Sequence, residues 1–310
     1  MKKNVIVTGA TGFIGKYVLL ELLRQEYSVV VIVRHKDGIE IIRQFLSDKS
    51  CQMKDVKFIL SDLSDLNEEL FEKEKFLAWI HLAWGGVNRE QIDDREVHNT
   101  NYRNSIHCLK LSKELHCECF FDIGSRAELD LKNGMIYESD EGTGINQYGF
   151  FKAEFHTYAK KFCIKNKLKY VHIRLFSVIG VGDHPWSLVM TACDRFVHNN
   201  PMNFGLCEQL WNFVDVRDVA YRIVKLCEIM EKSKQLMLTE SGTVHIASNQ
   251  TRLLKEYIYR IHEICNSSSV ITFGDHNGFD SYPDTTTQNM LFGEKTEIEF
   301  DDTINWIVNN

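Results

Sequence analysis

The sequence predicts an α/β fold built on a parallel sheet with helices over both faces, and three observations predict it. Short apolar runs alternate with stretches of helical spacing through the first half of the chain, which is how strands buried on both sides and their crossover helices read in one dimension. The first run leads into a turn with three glycines, Gly9, Gly12 and Gly15. The 310 residues contain only three prolines, no internal repeat and no low-complexity segment. No Pro-rich linker marks a domain boundary, and the length suits one large domain or a domain with a smaller lobe.

Taken in order, residues 5–8, 29–33, 57–60, 78–82, 119–123 and 170–175 are the expected strands. Residues 4–15 read NVIVTGATGFIG, a strand and a tight turn, and helical spacing returns from 16 to 24. Glycines there let a backbone approach a pyrophosphate, while a helix N-terminus offers it free N–H groups and a positive partial charge. A plain strand-to-helix turn would also use glycine. Strand, turn, helix and second strand together predict dinucleotide binding, with Thr8, Gly9, Thr11, Gly12, Phe13, Ile14 and Gly15 as contacts.

Directly after the second strand stands Arg34, followed by His35 and Lys36. A carboxylate at that place would accept from ribose hydroxyls, whereas a cation neutralises a 2′-phosphate. Arg34 therefore points to NADP, the other reading being a solvated basic loop. After the third strand, Asp62 is placed to bond an adenine amino group and Leu63 to cover the ring. After the fourth, Leu82, Ala83 and Trp84, with Gly85 and Gly86, let the backbone run alongside the cofactor, and His81 reads as a packed histidine. Residues 99–112 have helical spacing, in which Asn101 reads either as a helix cap or as a partner for backbone near the active-site strand.

Bulk properties exclude several classes. Forty-three acidic residues against 36 basic ones leave a net charge of −7, with no basic tail or stripe, which argues against a nucleic-acid partner. No apolar run reaches membrane-spanning length and the N-terminus enters the first strand without a cleavable leader, so no membrane contact and a cytoplasmic location are expected. Nine cysteines and twelve histidines show neither a C-x-x-C nor a paired-ligand spacing. Reduced, packed thiols and no metal are expected.

Chemistry becomes legible at two places. The strand Phe120-Phe121-Asp122-Ile123 ends in Gly124-Ser125, and a helix begins near Tyr148 with Lys152 one turn on. Positions i and i+4 share a helix face, so the ammonium is expected to lower the phenol pKa and make it a proton donor and acceptor near neutral pH. Ser125 can then hold a substrate oxygen. Tyrosine and lysine at this spacing are common on ordinary helices, and the value lies in the conjunction with the glycine loop.

The glycine loop, Arg34, Asp62, His81-Leu82-Ala83, Asn101, Ser125 and Tyr148-x-x-x-Lys152 follow one another in an order that resembles the extended short-chain dehydrogenase/reductase family, the nucleotide-sugar epimerases, dehydratases and reductases. RLFSVIG at 174–180 is similar to the family's R-x-x-N-x-x-G stretch, and NFVDVRDVA at 212–220 to its F-V-x-V-x-D-V-A stretch. The resemblance implies a doubly wound (Rossmann) dinucleotide-binding domain, residues 1–176 and 212–247, with a smaller C-terminal α/β substrate lobe, residues 177–211 and 248–310. It implies Ser125, Tyr148 and Lys152 as the catalytic group. Asn101, Phe176, Ser177 and Val178 join Tyr148 and Lys152 at the cofactor, and a homodimer forms through the helices that hold Asn101 and Tyr148.

Local residues decide between the reactions that the resemblance allows. Members that dehydrate the sugar carry an aspartate and a glutamate where this chain has Arg126 and Ala127, and epimerases usually carry an acidic residue where Arg34 stands. Gly124-Ser125-Arg126-Ala127-Glu128 is similar to the G-S-x-A-E segment of a subgroup that includes reductases of nucleotide-linked 4-keto-6-deoxyhexoses, although Leu129 departs from the usual Tyr-Gly. The implied reaction is NADPH-dependent reduction of the C4 ketone of such a sugar. The favoured substrate is dTDP-4-dehydro-6-deoxyglucose, reduced to dTDP-fucose for a bacterial surface polysaccharide. An NAD-retaining 4-epimerase, a non-catalytic NADP-binding protein and a reductase of an aromatic or aliphatic ketone are the alternatives.

Substrate contacts fall to Trp84, Ser125, Arg126, Trp186, Trp211 and Arg217. Trp186 or Trp211 would stack on the base or fill core. The family often places an arginine at positions like Trp211 and Tyr282 to pair with the pyrophosphate, and here Arg217 or Arg252 would take that part. Asp183-His184-Pro185-Trp186 reads as a loop over the site, 196–204 as a helix end and turn, 244–249 and 253–265 as a return strand and lobe helix, and 266–281 as a surface loop.

Overall fold

Uncharged runs of valine, isoleucine and aromatic residues are most stable where no face meets water, and in this chain they form the middle of a sheet. The computed structural model describes residues 3–130, 134–293 and 298–310. Strands β1 (Asn4–Thr8), β2 (Ser28–Val33) and β4 (Phe76–His81) are buried along nearly their whole length, whereas β3 (Val56–Leu60), at the sheet edge, has no buried position. β5 (Cys119–Ser125) is followed by the short β6 (Gly134–Ile136), which lies outside this sheet, and then by β7 (Lys169–Leu175). After short strands β8 to β11, β12 (Thr243–Ile246) completes seven strands in the order β3-β2-β1-β4-β5-β7-β12. Registers are parallel from β3 through β2, β1 and β4 to β5. The chain order reverses beside β1, which opens a crevice at the C-terminal ends of β1 and β4.

Most crossovers are helices, as is usual for parallel pairing, whereas β3 reaches β4 through two short 3-10 turns, Leu63–Asp65 and Glu68–Leu70. α1 (Phe13–Arg24) links β1 to β2, α2 (Lys36–Asp48) links β2 to β3, α3 (Arg95–Glu114) links β4 to β5, and α4 (Gln147–Asn166) leads into β7. Asp94 caps α3 by accepting from the Glu96 and Val97 amides, and Asn146 caps α4 by accepting from Gly149 at 2.8 Å. Each such cap stabilises by roughly 1 kcal/mol. Trp79 of β4 and Phe120 of β5 stack at 6.4 Å between centroids in a core that also takes in Ile6, Phe155 and Tyr170.

The expected doubly wound parallel sheet is thus the observed one, with six strands within two residues of the expected bounds and the seventh at the predicted return strand. Among the described residues no helix is long and apolar enough to cross a membrane. All nine cysteines are free thiols.

The chain divides into two units, one of Met1–Asp130, Ser139–Arg174 and Ala220–Val244, the other of Leu131–Glu138, Leu175–Val219 and His245–Asn310. The first carries the sheet. The resemblance assigns residues 1–176 and 212–247 to the sheet-bearing domain, whereas 131–138, 175–176, 212–219 and 245–247 fall in the second unit. In the second unit, residues before α6 (Val216–Lys232) pair locally instead: β8 (Ser177–Ile179) with β11 (Phe213–Asp215), and β6 with β15 (Ser281–Pro283).

Two further short pairs complete the second unit, β9 (Met202–Phe204) with β14 (Ile271–Phe273) and β10 (Leu210–Trp211) with β13 (Arg252–Leu253). Its core gathers Phe196 of α5 (Leu188–Val197), Tyr257 and Ile258 of α7 (Leu254–Ile264) and Phe300 and Ile304 of α9 (Phe300–Val308); α8 (Thr286–Phe292) precedes α9. Two expectations are corrected here. Residues 266–281 are not all loop, since 271–273 form β14, and the helix end and turn expected at 196–204 run on into the strand β9 at 202–204. Neither strand exceeds three residues, too few for alternation to register in sequence.

Candidate active site

In the first unit the crevice at the end of β1 and β4 is a cleft of about 370 Å³. Gly9, Thr11 and Gly12 form one wall, Ile32 to His35 at the end of β2 a second, Ser61 and Leu63 a third, and Leu82 to Gly85 the last. Gly9 has φ +78°, and a Cβ there would stand 2.6 Å from the Ala83 amide nitrogen, so only glycine closes this loop against the end of β4. Gly12 is the N-cap of α1 and provides no side-chain cap; the first turn holds no acidic residue. α3 and α4 spend side chains on their first amides, whereas α1 leaves its N–H groups and positive end open toward the cleft. A cradle in which glycine alone fits, beside an uncapped helix start, suits a diphosphate.

Arg34 and His35 line the far end of this cleft, with Arg34 Nε 3.0 Å from Asp62 Oδ1. Both side chains are more than half exposed, and such a pair stabilises by about 0–1 kcal/mol. Asp62 was expected on an adenine amino group and here faces Arg34 instead. Leu63 lines the cleft as expected.

Asn101 corrects the cap reading, because it lies within α3, seven residues beyond the true cap Asp94. Its Oδ1 accepts from Gly85 N at 3.1 Å and its Nδ2 donates to Gly85 O at 2.9 Å, so the side chain shapes the loop after β4. His81 is buried, its ring nitrogens 2.9 Å from Thr8 Oγ1 and from Ser105 Oγ. Burial pushes its pKa down to about 3, leaving a neutral ring that ties β1 to α3.

In this same unit Tyr148 and Lys152 meet around Trp84, and Ser125 stands near Tyr148. The Ser125 side chain is near enough to Tyr148 to oppose the rise of its pKa. The Tyr148 ring meets Trp84 edge-on at 6.2 Å between centroids, and Lys152 Nζ sits 4.1 Å from the Trp84 ring centroid. Lys152 Nζ donates to the Ile123 carbonyl at 2.5 Å.

The expected electrostatics are corrected, because the phenol is not made more acidic. Burial raises its pKa, with Glu128 and Asp122 adding to the rise and the Ser125 side chain opposing it, to about 12. Burial also lowers the Lys152 pKa. Sharing a helix face placed both groups correctly, but desolvation outweighs what one ammonium contributes.

Sequence reasoning missed His98. Trp84 Nε1 donates to His98 Nδ1 at 3.1 Å, and His98 Nε2 lies 2.9 Å from the Gln91 carbonyl, which fixes the tautomer and holds the indole between Tyr148 and Lys152. Its position on the inner face of α3 was the only available signal. Arg126, beside Ser125, is half-buried and donates weakly to the Leu129 carbonyl at 3.4 Å.

Phe176, Ser177, Val178, Trp186, Trp211 and Arg217 belong to the second unit. There Trp211 Nε1 donates to Ser177 Oγ at 3.0 Å, and Trp186 is half exposed and stacks on His184. Arg217 makes two bonds to Asp215, from Nε at 2.9 Å and Nη2 at 2.7 Å, and lies over the Trp306 ring. This guanidinium is held by the end of β11 and by α9.

The sheet and its helices define a Rossmann-type α/β fold. The crystal structure of a UDP-glucuronic acid 4-epimerase from Bacillus cereus in complex with NAD has the same fold, with a TM-score of 0.82 over 99% of this chain and 96% of that one, at 19% identity. In sequence, the chain is 26% identical over 257 residues to a dTDP-6-deoxy-L-talose 4-dehydrogenase (NAD(+)) of Aggregatibacter actinomycetemcomitans, covering 81% of this chain and 87% of the relative. A CDP-abequose synthase of Salmonella typhimurium is 24% identical over 282 residues, 88% of this chain and 85% of that one. The profile of the NAD dependent epimerase/dehydratase family matches residues 5–237, and the chain belongs to that family.

Proposed function

We propose that this protein is an NADP-linked oxidoreductase that reduces the C4 ketone of a nucleotide-linked 4-keto-6-deoxyhexose, with a dTDP-linked sugar as the favoured substrate. The observation that carries the reading is the meeting of Tyr148 and Lys152 around Trp84, which itself lines the cleft, with Ser125 near Tyr148. A bound nicotinamide dinucleotide supplies the hydride. The loop at Gly9 to Gly12 and the start of α1 hold its diphosphate, and Arg34 meets a 2′-phosphate. Tyr148 gives its proton to the ketone oxygen as negative charge develops there. Ser125 donates to the same oxygen, an interaction that strengthens only in the transition state. Lys152, kept within reach by Ile123 and Trp84, stabilises the phenolate left behind.

The relatives support this reading at the level of chemistry. Reduction of a 4-keto-6-deoxysugar is the reverse of the oxidation in the name of the talose 4-dehydrogenase relative. Arg126 and Ala127 offer no carboxylate pair for dehydration.

A second reading, an NAD-linked 4-dehydrogenase or 4-epimerase, is favoured by the Arg34–Asp62 ion pair, which partly neutralises the cation on which the NADP preference rests. A spectrophotometric assay with dTDP-, CDP- and GDP-linked 4-keto-6-deoxyhexoses decides between them. NADPH consumption with the dTDP sugar, at least about tenfold faster than NADH consumption, is the expected result. Turnover of a UDP-sugar to its 4-epimer without added cofactor, or preference for NADH, would overturn the NADPH-reductase assignment.

A further inference from the structure

Beneath Ser125 lies a buried polar cluster that no step above uses. His172 on β7 has both ring nitrogens against carboxylates, Nδ1 2.8 Å from Asp122 Oδ2 and Nε2 2.8 Å from Glu128 Oε2, and all three side chains are fully or almost fully buried. Carboxylates only accept, so both nitrogens must carry protons and the ring is an imidazolium. The far oxygen of Glu128, Oε1, accepts from the Ser125 backbone N–H at 2.6 Å, while Ser125 Oγ accepts from the Ala127 N–H at 3.2 Å. Ser125 is thereby locked into a reciprocal capping box on the turn Arg126–Glu128. A Cβ on Gly124 would overlap both the His172 ring and Glu128 Oε1, so the strand passes as close to this cluster as a backbone can.

The surrounding groups agree with one charge at that place. Among the described residues Asp122 Oδ1 has no hydrogen-bond partner, and Oδ2 takes His172 Nδ1 at 2.8 Å and the Tyr170 hydroxyl at 3.4 Å. Arg174 Nε stands 3.6 Å from Glu128 Oε2. From α4, His156 stacks on His172 at 3.9 Å and bonds the Tyr170 hydroxyl at 3.0 Å; burial lowers its pKa, so this second ring is neutral. Asp122, His156 and His172 also bring three potential metal-ligand atoms within 4.8 Å, but both His172 nitrogens are already occupied by protons shared with carboxylates.

We propose that His172 is a positioning residue for the reduction: a buried bridge, protonated on both nitrogens, that fastens Glu128 to Asp122 and through Glu128 sets Ser125 against Tyr148. The bridge spans β5, β7 and the turn after β5, so it fixes a serine at a strand end that would otherwise be free to shift. It rests on the oxidoreductase reading only for its consequence, not for its geometry.

The test separates the two. In the full-length protein, 15N-labelled histidine NMR is expected to show the His172 ring doubly protonated at about pH 8.5, well above an ordinary imidazole pKa of ~6.5. Glu128→Gln, whose amide can donate to His172 Nε2 while its carbonyl keeps the Ser125 N–H, is expected to turn that ring neutral, which also assigns its signals. In the NADPH assay Glu128→Gln keeps kcat within about threefold, whereas Glu128→Ala and His172→Gln lose about tenfold or more with both KM values within about twofold. A neutral His172 in the wild type, equal losses in Glu128→Gln and Glu128→Ala, or unchanged kcat in Glu128→Ala would overturn the proposal. Should His172→Gln not fold, the Glu128 pair still decides it. A wild type with a doubly protonated His172 but no turnover of any ketosugar sinks the oxidoreductase reading and leaves the bridge standing.

Discussion

Tyr148 and Lys152 illustrate how burial redirects a motif. The spacing put them on one face, but the low-polarity surroundings hold the phenol at about 12 and favour its protonated form. For a proton donor in ketone reduction this is the useful direction. The kcat for reduction is expected to show no loss from phenol ionisation between about pH 7 and about pH 9.5, and Tyr148→Phe to lower it about 10²–10⁴-fold with little change in NADPH affinity. Stopped-flow hydride transfer across pH checks both. At the other end of the cleft, Arg34→Ala is expected to raise KM for NADPH roughly tenfold and leave NADH nearly unaffected; steady-state kinetics with the two cofactors would expose the opposite pattern.

At the scale of elements, the strands carry the stability and their ends carry the chemistry. Trp79 is fully buried on β4 and stacked on Phe120 of β5. Trp79→Ala is therefore expected to cost about 3–5 kcal/mol in urea unfolding. The joint of β1 to α3 runs through His81, whose folded pKa is depressed to about 3 by burial. A ring that takes up a proton in the unfolded chain below ~6.5 but resists it in the folded one stabilises above that pH and ceases to as pH falls toward 3. For Glu128, burial would raise the pKa, but the attraction of His172 and its hydrogen bond, with Arg174, hold it at about 2. Its contribution is present above the ordinary carboxylate pKa of about 4.5 and is lost between there and 2. Denaturant melts at stepped pH should show stability declining from about pH 6.5 downward, with Glu128→Gln removing the lower part of the slope.

For the whole molecule, binding should read out as stabilisation. A ligand that binds only the folded state adds about 2.7 kcal/mol at a hundred times its Kd. Thermal melts with NADPH are expected to shift further than melts with NADH at equal concentration, and Gly9→Ala to abolish both shifts, since φ +78° and the Ala83 backbone leave no room for a methyl group. Equal shifts for the two cofactors would remove the role given to Arg34.

Much of this architecture could be read from one dimension, and the reasons are specific. The apolar runs that became β1, β2, β4, β5 and β7 are long enough for composition alone to mark them, and Gly9, Gly12 and Gly15 mark the turn between the first strand and its helix. The three-residue strands β9 and β14 are too short to carry a pattern. Asn101 looked like a cap because asparagine favours that place, yet Asp94 had already started α3. Glu128 stood in plain view as part of the G-S-x-A-E segment, but nothing local says that its carboxylate meets a histidine 44 residues further on.

The sequence by itself determined the parallel sheet, the glycine turn after its first strand and the shared helix face of Tyr148 and Lys152, because periodicity and spacing act over a few residues. Only the tertiary structure decided what surrounds them: the indole held by His98, the imidazolium shared by two acids, and a phenol made less acidic by its neighbours. Those depend on desolvation and on charges brought within a few ångströms by strands far apart in the chain, and neither quantity exists until the chain is folded.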